Sequence, residues 1–169
     1  AAGDIVPTYQ GHPDPDFTHN HLSGFSNGLA AAVVSAALSI TGYYSELDVT
    51  HQEMSFSYNA PTAGPCGGGT QTMYVTATAL GDKVLIASTG GELFVQLGLD
   101  IKKKLASKYG GNHLAMVSAY TNAAVPYIPS SEDYLTGGYG TVPKYWMCVE
   151  KNTGDRIVDT ILKAFGNIL

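Results

Sequence analysis

The chain has 169 residues, of which 44% are hydrophobic and only 14% charged, and its formal net charge is −5. This length corresponds to one domain with room for a core. The negative charge argues against a nucleic-acid partner, and no apolar run is long enough to cross a membrane. So little charge is unusual for a small free-standing domain. Two explanations stay open: a face buried against another polypeptide, or secretion.

The first half of the chain predicts one helix followed by a hairpin. Apolar residues recur at spacings of three and four from Ser23 and stop at Gly42, which predicts a helix. Residues 47–58 alternate apolar side chains with serines, as a half-buried antiparallel strand does. A second alternating strand over 70–80 turns at a Gly-Asp pair into a strand over 83–88.

The second half predicts an alternation of helix and strand. The apolar spacing predicts a helix over 92–108, a strand over 114–119 and a last helix from Thr153. The spacing of Ser130 and Asp133 predicts a short helix that begins at Ser130 with a capping-box-like pattern. The whole order indicates an α/β protein with a mixed sheet flanked by helices, organised as a single domain over residues 1–169.

Glu92 and Tyr127 are the first candidate site residues, because each follows a buried strand of the predicted sheet. Ligand chemistry in open α/β sheets is found beyond the carboxyl ends of strands. Glu92 is either a metal ligand or general base, or only a carboxylate favoured in the first turn of a helix. Tyr127 lies between two prolines that fix its backbone, although most tyrosines only fill core or surface. Gly90-Gly91 would allow the backbone to approach a ligand closely.

Histidines and cysteines raise two further hypotheses. His12, His19 and His21 lie in a Gly/Pro/Asp-rich loop segment and are either metal ligands or solvated side chains, since their spacing matches no established zinc motif. Cys66 and Cys148 form either one disulfide, as in a secreted protein, or two buried thiols.

Four short motifs occur in an order that a known enzyme family shares. They are Gly3-Asp4-Ile5-Val6-Pro7, Gly91-Glu92, the tyrosine-rich segment 120–134 followed by Gly137-Gly138-Tyr139, and Gly154-Asp155 in the last helix. In order and spacing they resemble the neutral/alkaline, non-lysosomal ceramidase family. The likeness runs from residue 3 to the end of the chain and is strongest over 82–165.

The resemblance implies the second half of a larger α/β hydrolase domain that binds zinc and cleaves an amide. It implies that Glu92 and Tyr127 are two zinc ligands. The other ligands, histidines, would come from sequence before residue 1, in a missing amino-terminal segment or a second polypeptide. Asp4 is the candidate for orienting a ligand or a water near the site. We therefore expect a processed product or the later part of a longer polypeptide.

The chain departs from the family at Val6, where ceramidases carry a serine. This departure argues against ceramide and leaves the substrate open as a small amide or a lipid-like molecule. The alternative function is a secreted, non-catalytic binding or storage protein that retains the fold without activity.

Overall fold

The computed structural model describes residues 19–142 and 147–169, with side chains from residue 23 onward. The described residues fall into two compact units, 19–47 and 48–169. The first unit contains helix α1 (His19–Leu38), which begins before the predicted start at Ser23. Every described side chain of α1 is exposed, including Leu38 at 80%. No helix within the described ranges has the length and apolar character needed to cross a bilayer.

The second unit is built on a four-stranded mixed sheet. Its strands, and the two short strands that form a separate ladder, have these bounds: β1 (Val49–Ala60), β2 (Gly69–Leu80), β3 (Val84–Thr89), β4 (Glu92–Leu93), β5 (Leu114–Ser118) and β6 (Tyr127–Ile128). The sheet order is β1-β2-β3-β5, in which β1-β2 and β2-β3 are antiparallel and β3-β5 is parallel. The predicted hairpin between β2 and β3 is confirmed, with Leu80 opposite Val84. The mixed sheet predicted from the sequence is therefore present.

Helices flank this sheet. Their bounds are α2 (Val95–Tyr109), α3 (Asp133–Thr136) and α4 (Thr153–Gly166), and a single 3-10 turn covers Tyr139–Thr141. Helices α2 and α4 pack against each other and against the sheet. Because their apolar residues recur at helical spacing, one stripe of each helix meets the alternating apolar residues of the strands. The fully buried members of this core include Val75, Leu85, Leu97, Ile101, Ile157, Ile161 and Phe165.

The opposite face of the sheet carries the side chains that alternate with the core set. Among them Tyr74, Leu114 and Met116 are exposed at 48%, 62% and 49%. Parallel strands are usually covered on both faces. The large apolar side chains of β5 on this face are therefore exposed to water, whereas α/β proteins normally bury such side chains.

A disulfide joins Cys66 to Cys148, with an S–S distance of 1.98 Å and a Cα–Cα distance of 5.3 Å. Cys66 lies in the loop between β1 and β2, and Cys148 lies shortly before α4 and is buried. The open choice between a bridge and two free thiols is thus resolved as a bridge. The bridge ties the β1–β2 loop to the segment that leads into the last helix.

The predicted cap at Ser130 is present, although α3 itself begins only at Asp133. The backbone N–H and the hydroxyl of Ser130 both donate to Asp133 Oδ2 at 2.7 Å, and the N–H of Asp133 donates back to Ser130 Oγ at 3.2 Å. These reciprocal bonds close the turn before the helix, as the spacing predicted. The residues between them therefore belong to the capping turn rather than to the helix.

Tyr134, next to this cap, gives a test of stability against pH. Burial, and then the negative charge of Asp133, raise the pKa of Tyr134 from 10.0 to about 12. The folded state thus holds this proton after the unfolded chain has lost it, so the unfolding free energy falls as pH rises from 10 towards 12. Tyr134 is only partly buried, so solvent screening limits its contribution to this fall to on the order of 1 to 2 kcal/mol. We expect Tyr134→Phe to remove the part of the fall that Tyr134 contributes, as measured by urea unfolding at several pH values.

At pH 7 the same substitution is expected to be neutral or to stabilise by up to about 1 kcal/mol. The reason is that the Tyr134 hydroxyl is buried without a hydrogen-bond partner among the described residues. Tyr43→Phe is the matched control, because Tyr43 is 88% exposed. A Tyr134→Phe variant that is strongly destabilised at pH 7 would contradict this account.

Candidate functional site

The candidate site lies where β3 and β5 end and their following segments cross. The N–H of Gly91 donates to the carbonyl of Ala123 at 3.0 Å, and the N–H of Glu92 donates to the carbonyl of Val125 at 3.1 Å. In return, the N–H of Tyr120 donates to the carbonyl of Gly91 at 3.0 Å. These backbone bonds fix the two segments side by side at the carboxyl ends of a parallel strand pair, where open α/β sheets hold their ligands.

The crossing segments form a small parallel ladder that pairs the two predicted site residues. Strands β4 and β6 are in register, with Glu92 opposite Tyr127 and Leu93 opposite Ile128. Successive side chains of a strand point to opposite faces, and paired strands lie about 4.8 Å apart. Leu93 and Ile128 are fully buried, whereas Glu92 and Tyr127 are only half-buried. The ladder therefore presents the carboxylate and the phenol as neighbours on one side.

The prediction that Glu92 begins a helix is wrong. Glu92 belongs to β4, and α2 begins three residues later at Val95, with Phe94 in the N-cap position. Backbone pairing with Tyr127 competes with the helical conformation and prevails, because it satisfies backbone groups of both segments. The alternative explanation of Glu92, a carboxylate favoured in the first turn of a helix, therefore does not apply, because Glu92 precedes the helix.

The glycines before Glu92 serve the crossing of the two segments. A Cβ added at Gly90 would lie 2.7 Å from the Cβ of Ala123, and one added at Gly91 would lie 2.9 Å from the carbonyl oxygen of Val125. Gly91 also has a φ of 78°, which side chains other than glycine rarely adopt. The space beside both glycines is thus filled by the segment that carries Tyr127. The glycines allow that segment to come close and do not open onto the pocket.

A pocket of about 270 Å³ opens at this ladder. Its lining consists of Glu92, Tyr120, Ala124, Val125, Pro126 and Tyr127. Both predicted site residues therefore border one space, whose remaining wall is largely apolar. Few polar groups set in an apolar wall are typical of small-molecule sites.

The electrostatics of Tyr127 reflect this proximity. Burial is the largest cause that raises the pKa of the Tyr127 phenol above 10.0, and the negative charge of Glu92 and the nearby Tyr139 add to it. At neutral pH the phenol thus retains its proton while Glu92 lies beside it. Two oxygen donors that repel each other when both are ionised are a suitable pair for a cation, which favours the charged form of each.

Two aromatic neighbours of Tyr127 were not predicted from the sequence. The ring centroids of Phe94 and Tyr139 lie 6.1 and 5.8 Å from that of Tyr127, both in edge-to-face arrangements. A signal for Tyr139 was available in the glycines that flank it at 137, 138 and 140, since such a run indicates close backbone approach. Phe94 carried no signal beyond its apolar character.

The remaining candidates have no described side chains, and the prediction that His19 and His21 lie in a loop is wrong, because both belong to helix α1. Asp4, Val6 and His12 precede the described range, and the side chains of His19 and His21 are not described. Their roles stay predictions. Among residues 23–142 and 147–169, no group of three or more His, Cys, Asp or Glu side chains could hold a metal ion. Within this range, Glu92 and Tyr127 are the pair that the structure brings together from the predicted ligand set.

Comparison of the chain with protein-family models, curated proteins and solved structures returned no match. The fold and the site thus define a mixed α/β protein with a pocket at its strand ends. Its relation to the ceramidases stays a prediction drawn from the sequence motifs.

Proposed function

We propose that this chain is the carboxyl-terminal part of a ceramidase-like, zinc-dependent amide hydrolase. In this proposal it is the second half of a larger α/β hydrolase domain, and a missing amino-terminal segment or second polypeptide supplies histidine ligands. The observation that carries the proposal is the in-register pairing of Glu92 with Tyr127 beside a pocket. Two side chains that are 35 positions apart in the sequence are neighbours, as two ligands of one ion would have to be.

The donor set fits the proposed metal. Carboxylate oxygen is an established zinc ligand, and a phenol oxygen would complete a set that begins with two imidazoles. When bound, zinc polarises a carbonyl oxygen or lowers the pKa of a water molecule. Glu92 would supply negative charge to the cation, and Tyr127 would supply its phenol oxygen from the opposite strand. The apolar wall formed by Ala124, Val125 and Pro126 would contact the apolar part of the substrate.

The surface of the second unit supports a partner polypeptide. Leu114 and Met116 are exposed at 62% and 49% on the sheet face that α2 and α4 leave uncovered. A partner that covers this face would bury those side chains and explain the low charge content of the chain. The Cys66–Cys148 disulfide is typical of an oxidising compartment, which supports secretion.

The first test is zinc content. We expect the protein isolated together with its natural partner to hold about one zinc ion per chain, as in a single mononuclear site. Glu92→Gln and Tyr127→Phe are each expected to lower the bound zinc strongly, because each removes one ligand. The measurement is elemental analysis after dialysis, together with amide hydrolysis by the same samples.

Matched controls separate ligand loss from unfolding. Glu132→Gln makes the same chemical change at an exposed glutamate, and Tyr43→Phe makes it at an exposed tyrosine. Both should keep full zinc content. Stoichiometric zinc that persists in Glu92→Gln and Tyr127→Phe would refute the ligand assignment. Zinc that disappears only with His19→Ala and His21→Ala would move the metal site to the amino-terminal histidines.

The alternative function, a secreted non-catalytic binding or storage protein, is tested in the same preparation. A co-purifying polypeptide with a His-x-His segment supports the enzyme. A lone chain that has an intact disulfide, no zinc and no amide hydrolysis supports the alternative.

A further inference from the structure

The turn at Tyr139–Thr141 packs against the ring of Tyr127. Gly140 and Thr141 are buried, whereas Tyr139 is 67% exposed. The N–H and the hydroxyl of Thr141 donate to the carbonyl of Gly138 at 3.2 and 2.8 Å, which closes the turn. Gly140 is thus held between the two aromatic rings that the ladder and the start of α2 contribute.

No side chain would fit at position 140 without a displacement. An added Cβ would lie 2.7 Å from Cζ of Phe94, 2.9 Å from Cε1 of Phe94 and 2.9 Å from Cγ of Tyr127. Cγ is the first ring atom of Tyr127, so moving it rotates the whole side chain about χ1 rather than shifting a flexible tip. Phe94 is only 9% exposed and cannot move freely.

The backbone of Gly140 does not itself require glycine. Its φ is not among the positive values in the described chain, whereas those of Gly137 and Gly138 are 75° and 128°. Alanine at position 140 is therefore compatible with the backbone, and only the two rings oppose it. Because Gly140 has no side chain, the turn can lie in contact with the ring of Tyr127.

We propose that Gly140 is a positioning residue, whose missing side chain lets the Tyr139–Thr141 turn fix the Tyr127 phenol beside Glu92. The effect on zinc binding in this inference rests on the proposed function, in which Tyr127 is a zinc ligand. The ladder fixes only the backbone of Tyr127, and the ring still needs walls to select one χ1 rotamer. Phe94 and the turn supply those walls from two elements. Groups that orient a metal ligand contribute strongly to affinity even though they do not touch the metal.

The experiment compares Gly140→Ala with Gly111→Ala. Gly111 is the matched control because no heavy atom lies within 4 Å of an added Cβ and its φ is not positive. The first readout is the NMR spectrum of ¹³C-labelled tyrosine rings in the metal-free full chain, with the Tyr127 signals assigned by Tyr127→Phe. The second readout is Zn²⁺ affinity of the chain isolated with its partner, measured by competition with a chelator.

We expect Gly140→Ala to move the Tyr127 ring signals, to leave the dispersion of the other signals intact, and to lower Zn²⁺ affinity on the order of 10- to 100-fold. Gly111→Ala should change neither. If alanine at position 140 makes the chain unfold, Gly140→Ala combined with Phe94→Leu restores space and should recover both the fold and part of the Zn²⁺ affinity.

The outcomes separate this inference from the proposed function. Unmoved Tyr127 signals and unchanged Zn²⁺ affinity in a folded Gly140→Ala chain overturn the inference and leave the zinc site standing. Moved Tyr127 signals in a protein that binds no Zn²⁺ in any form support the positioning role and overturn the zinc site. A loss of stability without movement of the Tyr127 signals shows a merely structural glycine and also overturns the inference.

Discussion

Removal of the Cys66–Cys148 disulfide is expected to lower the free energy of unfolding by about 4 to 5 kcal/mol. The bridge joins residues 82 positions apart, so it restricts a large part of the unfolded chain. The loss is comparable with the whole stability of many domains of this size. Urea unfolding of Cys66→Ala/Cys148→Ala against the oxidised protein measures it.

The reduced wild-type chain is the control for this prediction, because it loses the bridge and keeps both side chains. Cys148 is 1% exposed, so the double variant also loses a small buried contact that the reduced chain retains. The two forms should agree within about 1 kcal/mol. Equal midpoints for the oxidised and reduced chains would contradict the expected role of the bridge.

Gly91→Ala is expected to have the second large effect, a destabilisation of about 2 to 5 kcal/mol. A positive φ disfavours alanine, and the new methyl group would lie 2.6 Å from Cδ1 of Ile128 and 2.9 Å from the carbonyl oxygen of Val125. Both contacts belong to the segment that carries Tyr127. We therefore expect the β4–β6 ladder to open and Glu92 to separate from Tyr127. Urea unfolding and zinc content of the same variant measure the two effects.

Gly110→Ala separates backbone strain from the close contacts. Gly110 has a φ of 85°, similar to that of Gly91, but no heavy atom lies within 4 Å of its added Cβ. Gly110 has a ψ of 152°, a backbone region that is nearly restricted to glycine, so this control should cost about 1 to 3 kcal/mol and leave zinc content unchanged. If both variants lose the same stability, the contacts with the crossing segment contribute nothing and the account of Gly91 is wrong.

The sequence predicted those parts of the fold that local patterns determine. Alternation over β1 and β2 and the Gly81-Asp82 turn predicted an antiparallel hairpin system, and helical spacing predicted α2 and α4. Each pattern reflects which side of one element meets the core. Local spacing therefore carried most of the information about the existence and the type of these elements, and somewhat less about their ends.

The site was predicted in part, because its residues could be chosen but their pairing could not. Glu92 and Tyr127 were selected as residues that follow buried strands, and the structure makes them neighbours. The ladder that joins them has only two residues per strand, too short for any period to be visible. Its formation depends on hydrogen bonds between distant segments, and for that reason Glu92 was wrongly assigned to a helix.

Helix α1 shows a different limit. Its spacing predicted a helix correctly, yet the described side chains that repeat at helical spacing are exposed rather than packed. A stripe of apolar residues predicts a helix with an apolar face, but it does not predict which polypeptide packs against that face.

The alternation of side chains within β4 and β6 affects how the results of mutating this region should be interpreted. Leu93 and Ile128, one position beyond the two candidate ligands, are fully buried anchors of the same ladder. A mutational screen scored only on the proposed activity would record substitutions at these two positions as though they had removed a candidate ligand. Scoring the amount of folded protein in parallel would separate these anchors from the candidate ligands Glu92 and Tyr127.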